Sequence, residues 1–320
     1  MSFTPNFAEC AEQWFREASL ADITKRSRRS YYARDIFPAF KDRPLYEVTE
    51  ADVRALCDKV KARGAPGTAV QILGVIRSVY AFARFKGYSG GNPARFIANS
   101  SIARFSPRNR ALGPDEICVL YRLIADPQVK VHYQLAIRLL LLTLARRGEL
   151  LLACWSEIDF ERGIWTVPPG RAKARKPRQV YLSLQAIDVL IHLKALAGES
   201  EYLFPSPLDS YSPMAAACLD VCTKSICRRA RTLNMSLRDF APLDLRLTGE
   251  DNLKAAGFDF EWIDVVMARE EVLRRHRIDD LDLYGEVLRH MMQEWANMID
   301  AWVSGTTYSP NLVPADTRSS

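Results

Sequence analysis

Apolar residues recur at helical spacing along most of the chain, and this pattern predicts its secondary structure. In the first third it predicts four helices, over 6–18, 22–36, 49–63 and 67–86. Pro38 is expected to stop the second helix, and Thr49 with Asp52 makes a capping box at the start of the third. Residues 1–104 are therefore expected to form a compact four-helix bundle.

The same spacing predicts further helices over 114–125, 131–145, 184–196, 219–233 and 285–303. The second of these contains the leucine run 139–142, so it is expected to be buried. The last carries an apolar stripe that includes Met291, Trp295 and Ile299. The stripe indicates either a core helix of its own domain or a contact with another protomer. From Ser304 onward the tail is polar and is expected to be disordered.

Strand-forming residues replace the helical pattern between 158 and 182. Ile158, residues 164–167 and residues 180–182 are separated by Arg162-Gly163 and by Pro168-Pro169-Gly170. They predict a short three-stranded sheet. The fold class is therefore mainly α with a small antiparallel β-sheet, organised as a helical domain 1–104, a basic linker 105–111, an α+β domain 112–303 and a polar tail 304–320.

Positive charge is concentrated in the N-terminal part. Residues 1–105 hold 17 Lys and Arg against 10 Asp and Glu, whereas the remainder holds 27 against 28. This asymmetry indicates a polyanionic partner such as nucleic acid, with an ordinary solvated basic surface as the alternative. Basic residues beside Tyr31 and Tyr32 on one predicted helix fit contact with a DNA backbone.

Several classes of protein are disfavoured by composition. The chain has no apolar run of membrane-spanning length and no signal peptide, and its seven cysteines are odd in number and scattered. Reduced thiols in a cytoplasmic protein are expected. Cys218, Cys222 and Cys227 suggest zinc only weakly, because no histidine is near them in sequence. We expect no metal and no cofactor.

Arginines flank the buried leucine run and the sheet. Arg146 follows the run, and Glu149 can brace it from the next turn. A guanidinium group held in this way suits phosphate oxygens. The loop before the last strand is basic, with Arg171, Lys173, Arg175, Lys176 and Arg178.

This order of features resembles the tyrosine recombinase (phage integrase) family, and most of all the integrases of satellite phages and genomic islands. Arg146 precedes Glu149-Leu150 by three residues, Lys173 lies in the sheet turn, and Arg246 lies in a box that ends at Thr248. Asp42-Arg43-Pro44-Leu45 and Gly91-Asn92-Pro93-Ala94 are similar to the family's core-binding domain. The resemblance implies a two-domain architecture, a helical core-binding domain followed by an α+β catalytic domain, here without the arm-binding domain.

Two positions depart from the family pattern. Leu243 stands where the family has a histidine, three residues before Arg246. The next histidine slot falls on Arg269, in Met267-Ala268-Arg269 where the family often has Leu-Gly-His, with His276 as a rival. Tyr284 is the candidate nucleophile, but the usual spacing from that slot is about nine residues, which Tyr284 fits better from His276 than from Arg269.

The resemblance implies site-specific DNA recombination through a 3′-phosphotyrosyl intermediate. Arg146 and Arg246 would hold phosphate oxygens, Arg269 would add charge, and Lys173 would protonate the leaving oxygen. The partners would be double-stranded DNA and further copies of the chain, as a tetramer on paired sites, with helix 285–303 as a protomer contact. The side chains expected to lie against DNA are Lys25, Arg26, Arg28, Arg29, Arg108, Arg110, Arg171, Arg175, Lys176 and Arg178. Two alternatives remain: a weak or inactive relative that binds DNA as a regulator or accessory factor, and a purely structural or interaction role.

Overall fold

The computed structural model describes residues 6–20, 22–105, 109–171, 177–269 and 281–312, without the side chains of 22, 23, 197 and 281–284. It is mainly helical with one three-stranded antiparallel sheet, which confirms the predicted fold class. The chain forms two compact units, Met1–Pro107 and Arg108–Ser320. In the part that the structure describes, no helix is both long and apolar enough to cross a lipid bilayer.

The N-terminal unit is a helical bundle built around α5. Helices α1, α2 and α4 all pack against α5, and the predicted apolar positions of these helices form the core. Its elements are α1 Phe7–Glu17, α2 Asp22–Tyr31, a π-helical stretch Tyr32–Ile36, α3 Phe37–Phe40, a 3₁₀ turn Leu45–Glu47, α4 Glu50–Ala62, α5 Pro66–Phe85 and α6 Asn99–Ile102.

Two local predictions in this unit have different outcomes. The capping box is confirmed, since the Asp52 N–H donates to the Thr49 hydroxyl (3.2 Å) and the Thr49 N–H donates to the Asp52 carboxylate (2.9 Å). The predicted stop before Pro38 is wrong. The backbone widens into the π-helical stretch Tyr32–Ile36 and continues, with Pro38 in the first turn of α3. The Phe37 N–H donates to the Tyr32 carbonyl, five residues earlier, and this wider turn carries the helix past Pro38.

The C-terminal unit places the sheet beside a helical core. The sheet order is β1-β2-β3, with Ile158 opposite Trp165 and Trp165 opposite Val180. The elements are α7 Pro114–Ile124, α8 Val131–Thr143, α9 Arg147–Leu151, a 3₁₀ turn Trp155–Glu157, β1 Ile158–Asp159, β2 Ile164–Val167, β3 Arg178–Tyr181, α10 Leu184–Ala197, α11 Ala216–Thr232, α12 Pro242–Ala255, α13 Phe260–Val266 and a C-terminal helix Leu281–Ser304.

Helix α8 is the buried centre of this unit, as its leucine run predicts. Helices α10 and α12 and the C-terminal helix pack against it. The indole N–H of Trp295 donates to the Leu141 carbonyl (2.8 Å), which ties the C-terminal helix to α8. Met291, Trp295 and Ile299 are buried in this same core, so the core interpretation of the apolar stripe is correct.

The start of the tail is ordered, contrary to expectation. Residues after the C-terminal helix fold back along it, where the Glu294 carboxylate accepts hydrogen bonds from the Tyr308 hydroxyl (2.8 Å) and the Asn311 N–H (2.7 Å). Glu294 is itself buried, so these donors satisfy a carboxylate that would otherwise lack partners. Residues 313–320 lie outside the described part of the chain.

Candidate active site

Arg146 lies at the N-cap position of the short helix α9, directly after the buried α8. The Glu149 carboxylate accepts hydrogen bonds from the Arg146 main-chain N–H (3.0 Å) and from its guanidinium Nη1 (2.8 Å). The predicted brace between Glu149 and Arg146 is therefore present. The Glu149 side chain is only 2% exposed, whereas that of Arg146 is 30% exposed. Arg146 thus keeps access to solvent while its orientation is set from within the protein.

Arg178 approaches the same carboxylate from strand β3. Its Nη1 donates to Glu149 Oε2 (2.7 Å), and its side chain is 10% exposed. Burial alone would raise the pKa of Glu149. The charges of Arg178 and Arg146 and the hydrogen bonds from Arg146 outweigh it and hold that pKa below its ordinary value. Glu149 is therefore ionised at neutral pH.

Arg246 lies on the buried face of α12 with 6% of its surface exposed. Its two terminal nitrogens donate to the carbonyl oxygens of Leu144 and Met267. Burial, followed by repulsion from Arg178 and Arg146, lowers the pKa of Arg246 to about 9. The group remains a cation at neutral pH, close enough to the other two arginines for their charges to interact.

Three consecutive carbonyl groups at the end of α13 hold these three arginines. Val266 accepts from Arg178 Nη2 (2.7 Å), Met267 from Arg246 Nη2, and Ala268 from Arg146 Nη2 (3.2 Å). Carbonyl groups at a helix C-terminus lack partners in the helix and carry partial negative charge, so they attract cations. We call Arg146, Arg178 and Arg246, with Glu149, the arginine cluster.

Two residues that present carbonyls to the cluster have left-handed backbones although neither is glycine. Leu144, at the end of α8, has φ 50°, and Ala268, after α13, has φ 44°. This conformation costs roughly 1–2 kcal/mol per non-glycine residue, and such strain tends to occur at functional sites. Gly249 on α12 leaves room for the Leu144 side chain, since an added Cβ would lie 2.7 Å from Leu144 Cδ1.

Arg269 is held by carboxylates beside the cluster. Its Nη2 donates to Glu250 Oε1 (2.5 Å) and its Nη1 to Asp264. Glu250 is buried and lies one turn after Arg246 on α12, and it also accepts from Lys254 (2.5 Å). Arg269, like Arg146, is therefore held by carboxylates.

Family models match both units of the chain. The model for the phage integrase central domain matches residues 7–99, and that for the phage integrase family matches residues 110–272. The chain belongs to the phage integrase family. Similarity to individual integrases extends over most of its length, as the following comparisons show.

Prophage integrase IntA of Escherichia coli (strain K12) is 27% identical over 320 residues, covering 97% of this chain and 73% of that protein. The integrase of Enterobacteria phage P4 is 26% identical over 222 residues, covering 65% of this chain and 51% of that protein. Both similarities agree with the resemblance to the phage integrase family.

Solved integrase structures share the fold. The Tn1549 transposon integrase in complex with transposon right end DNA has a TM-score of 0.67 at 16% identity, covering 88% of this chain and 98% of that chain. A lambda integrase tetramer bound to a Holliday junction has a TM-score of 0.63 at 17% identity, covering 84% of this chain and 75% of that chain.

The integrase-like second box lies on α12. Leu243, for which the resemblance predicts a histidine position, is in the first turn and is 59% exposed. Thr248 is fully buried, and its hydroxyl accepts from the Leu112 N–H (2.9 Å) and donates to the Asp244 carbonyl (2.8 Å). Thr248 therefore anchors the start of the C-terminal unit to α12.

Several predicted site residues of this integrase fall where the structure gives no side-chain description. Arg108, Lys173, Arg175, Lys176 and His276 lie outside the described residues. Tyr284 lies on the C-terminal helix, but its side chain is among those not described.

The other side chains predicted to contact DNA differ in how far their charged groups are paired within the protein. Arg110 makes a two-pronged pair with Glu116 (2.8 and 2.6 Å), and Arg171 pairs with Glu157, so both are largely occupied within the protein. Arg29 pairs with Glu12 (2.8 Å) and lies over the ring of Phe15, while Arg28 lies over Trp14. Arg26 is exposed and Lys25 half-buried.

The three cysteines considered as weak zinc ligands all lie on α11. Cys218, Cys222 and Cys227 are all free, and burial raises the pKa of Cys222 to about 11. Over the described ranges, no three His, Cys, Asp or Glu side chains are grouped to hold a metal ion.

Sequence reasoning missed two parts of the site. The sequence predicts that Arg178 contacts DNA, whereas its side chain is buried in the arginine cluster. The carbonyl groups of Val266, Met267 and Ala268 carry no side-chain signature at all. One signal was available: Ala268 stands where the family often has the glycine of Leu-Gly-His, and glycine is typical of a left-handed position.

Proposed function

We propose that this integrase is a site-specific DNA recombinase of the tyrosine type that acts on duplex DNA of a mobile genetic element in the cytoplasm. The observation that carries the proposal is the arginine cluster, in which Arg146 and Arg178 share the buried Glu149 carboxylate and all three guanidinium groups bind consecutive carbonyl groups at the end of α13. Its net positive charge suits a phosphodiester whose negative charge grows during reaction.

Arg146 and Arg246 bind the non-bridging oxygens of the scissile phosphate in this proposal. Their guanidinium groups are fixed by Glu149 and by the carbonyls of Leu144, Met267 and Ala268. Charged donors that are oriented before the substrate arrives need no reorganisation in the transition state.

Tyr284 supplies the nucleophile and Lys173 the leaving-group proton. The Tyr284 hydroxyl gives its proton to a water molecule, and its oxygen attacks phosphorus. The bond from phosphorus to the 5′ oxygen breaks, and Lys173 protonates that oxygen as it leaves as a hydroxyl. The 3′-phosphotyrosyl link keeps the energy of the phosphodiester, so religation by the reverse step requires no nucleotide.

The two departures from the family pattern predict slow chemistry. Leu243 has no group to transfer a proton, and Arg269 can supply charge to the phosphate but no proton at neutral pH. Loss of such proton transfer costs about 10²–10⁴-fold in rate. Arg269 fills the second histidine slot in this proposal, because the left-handed Ala268 before it matches the family's glycine.

Assembly follows from the relatives. The lambda integrase of similar fold forms a tetramer bound to a Holliday junction. We infer that this chain likewise acts as a homotetramer that pairs two DNA sites. The basic N-terminal unit, with Lys25, Arg26, Arg28 and Arg29, contacts the DNA backbone in this arrangement.

A second candidate is a DNA-binding integrase that does not cleave. It is favoured by the exposed, apolar Leu243 and by the occupation of Arg269 by Glu250 and Asp264. Such a protein would act as a regulator or accessory factor at the same sites.

Detection of a covalent protein–DNA adduct separates the two candidates. The full chain is incubated with supercoiled plasmid carrying the DNA that flanks its own gene, and the reaction is stopped with detergent. Tyr284→Phe is tested beside wild type, with Tyr211→Phe as a matched control at an exposed tyrosine of the same unit. An adduct formed by wild type and Tyr211→Phe, but not by Tyr284→Phe, is the expected result. DNA binding without an adduct from any of them would favour the second candidate.

A further inference from the structure

We propose that Arg178 is a positioning residue of this site, which locks Glu149 and the end of α13 together so that Arg146 and Arg246 hold a fixed separation. The inference rests on the recombinase function proposed above. It gives Arg178 a role inside the protein, in place of the DNA contact that the sequence suggested.

The first support is the way that Arg178 bridges two parts of the site. Its Nη1 contacts Glu149 Oε2 at 2.7 Å, and its Nη2 contacts the Val266 carbonyl at 2.7 Å. Glu149 Oε2 also accepts the Arg146 N–H (3.0 Å). One guanidinium therefore joins the start of α9 to the C-terminus of α13, two elements that are far apart in sequence.

The second support is the arrangement of acceptors along α13. Val266, Met267 and Ala268 are consecutive, and they bind Arg178, Arg246 and Arg146 respectively. Because Arg178 fixes the first of these carbonyls, it also fixes the direction of the next two. A shift of this helix end would displace both phosphate-binding arginines at once.

The third support is burial. Arg178 is 10% exposed, and its Nε is buried without a hydrogen-bond partner among the described residues. Both terminal nitrogens are already engaged inside the protein. Arg246 is also buried with both terminal nitrogens engaged, but its acceptors are the neutral carbonyl groups of Leu144 and Met267, so its charge is left for a phosphate. The charge of Arg178 is instead paired with the Glu149 carboxylate inside the protein.

The test compares DNA binding with cleavage in Arg178→Met and Arg178→Lys. Displacement of reacting groups by about 1 Å can cost roughly 100-fold in rate. We therefore expect Arg178→Met to form the covalent adduct about 100-fold more slowly at pH 7.5, with DNA affinity and its salt dependence within about 3-fold of wild type. Arg178→Lys keeps the charge and should recover part of the rate. A loss of affinity equal to the loss of cleavage would overturn the proposal in favour of DNA contact.

A pH profile adds a readout that general destabilisation would not change. The charged groups facing Glu149 are Arg178 from β3, Arg146 from α9 and, more distantly, Arg246 from α12, while Arg171 donates to its main-chain carbonyl (3.2 Å). Without Arg178 the pKa of Glu149 rises. The cleavage rate of Arg178→Met should then increase with pH between 5 and 8 more steeply than that of wild type. Arg178→Met/Glu149→Gln should lack this extra dependence.

If wild type forms no adduct, the proposed recombinase function is wrong. Thermal unfolding then still tests whether Arg178 and Glu149 depend on each other. Leaving Glu149 buried without Arg178 should lower Tm by roughly 10 °C, and adding Glu149→Gln should restore part of the loss. Arg229→Met is the matched control, because Arg229 also pairs with a carboxylate, Asp126, and also has a buried Nε without a partner. It should lose stability without a selective loss of cleavage. Additive Tm losses from Arg178→Met and Glu149→Gln would refute the positioning contact.

Discussion

Among single residues, Glu149 is a buried carboxylate on which the arginines of the cluster converge. Its carboxylate accepts from two guanidinium groups and one main-chain N–H, while 2% of its side chain is exposed. A buried carboxylate without partners would be protonated rather than charged. The arginines thus keep Glu149 ionised, and Glu149 in turn keeps the arginines oriented.

Glu149→Gln should reduce both stability and cleavage. It leaves Arg178 buried without its counter-charge, which costs about 3–5 kcal/mol. The folded-state pKa of Glu149 lies below its ordinary value of about 4.3, so its contribution is present above that pH and is lost as pH falls through the lowered pKa. We expect the Tm of wild type to fall more than that of Glu149→Gln between about pH 5 and pH 3. Parallel curves for the two proteins would contradict this assignment.

Ala268→Gly should stabilise the protein by about 1 kcal/mol, because glycine adopts a positive φ without the Cβ penalty. Ala268 has φ 44° and a small side chain, so little packing is lost. Ala81→Gly, at an exposed position within α5, is the control and should destabilise by about 1 kcal/mol. Urea unfolding measures both. Equal losses from the two substitutions would mean that Ala268 carries no backbone strain.

The residues of the site were predictable to different degrees. Arg146 and Glu149 follow a buried run at helical spacing, so their contact could be inferred from the sequence alone. The contact between Arg178 and Glu149 could not, because it joins a strand to a helix 29 residues away and depends on how the sheet packs. The motif identified Arg246, but nothing in the sequence indicates that its hydrogen-bond partners are main-chain carbonyl groups.

At the level of secondary-structure elements, the close approach of α12 to the end of α8 sets the position of Arg246. Leu144 ends α8, and its side chain lies against Gly249 of α12. Any Cβ at 249 would lie within 3.0 Å of three atoms of Leu144, whose carbonyl binds Arg246. The glycine is therefore required by packing between two helices rather than by its own backbone angles.

Gly249→Ala should destabilise the protein by about 1–3 kcal/mol and slow cleavage, since Leu144 must move to accommodate the methyl group. Gly74→Ala is the matched control. Gly74 also lies within a helix, but nothing is within 4 Å of the added Cβ, so higher helix propensity should raise stability by about 1 kcal/mol. Thermal unfolding and adduct formation on both variants test this. A stabilised Gly249→Ala would show that the two helices can separate.

Most elements followed from apolar spacing, and the failures have local causes. Periodicity located the bundle, α8, α10 and the C-terminal helix, because each buries one face or more. The π-helical turn before Pro38 was not predictable, since it depends on the burial of Tyr32 and Ile36 against the rest of the bundle. The fold-back after Ser304 was missed because polar residues there bind one buried carboxylate, Glu294.

For the molecule as a whole, the excess of positive charge in the N-terminal unit predicts salt-dependent DNA binding. Lys25→Gln/Arg26→Gln should weaken binding to duplex DNA of any sequence and reduce the slope of log K against log[salt] by about 2. Lys59→Gln/Lys61→Gln removes the same charge from α4 of the same unit and serves as the control. Fluorescence anisotropy at several salt concentrations measures the slopes. Equal effects from both pairs would mean that only net charge matters.

The carbonyl groups of Val266, Met267 and Ala268 also determine which mutagenesis experiments can detect this part of the site. Every amino acid supplies a carbonyl, so alanine substitution of Val266 and Met267 would report lost packing and leave all three contacts to the arginines in place. The same stretch can vary in side chain among related proteins and still hold its cations. Replacing the amide after Met267 by an ester weakens that carbonyl as an acceptor without altering any side chain. This change would weaken the contact with Arg246, which side-chain substitutions at 267 leave in place.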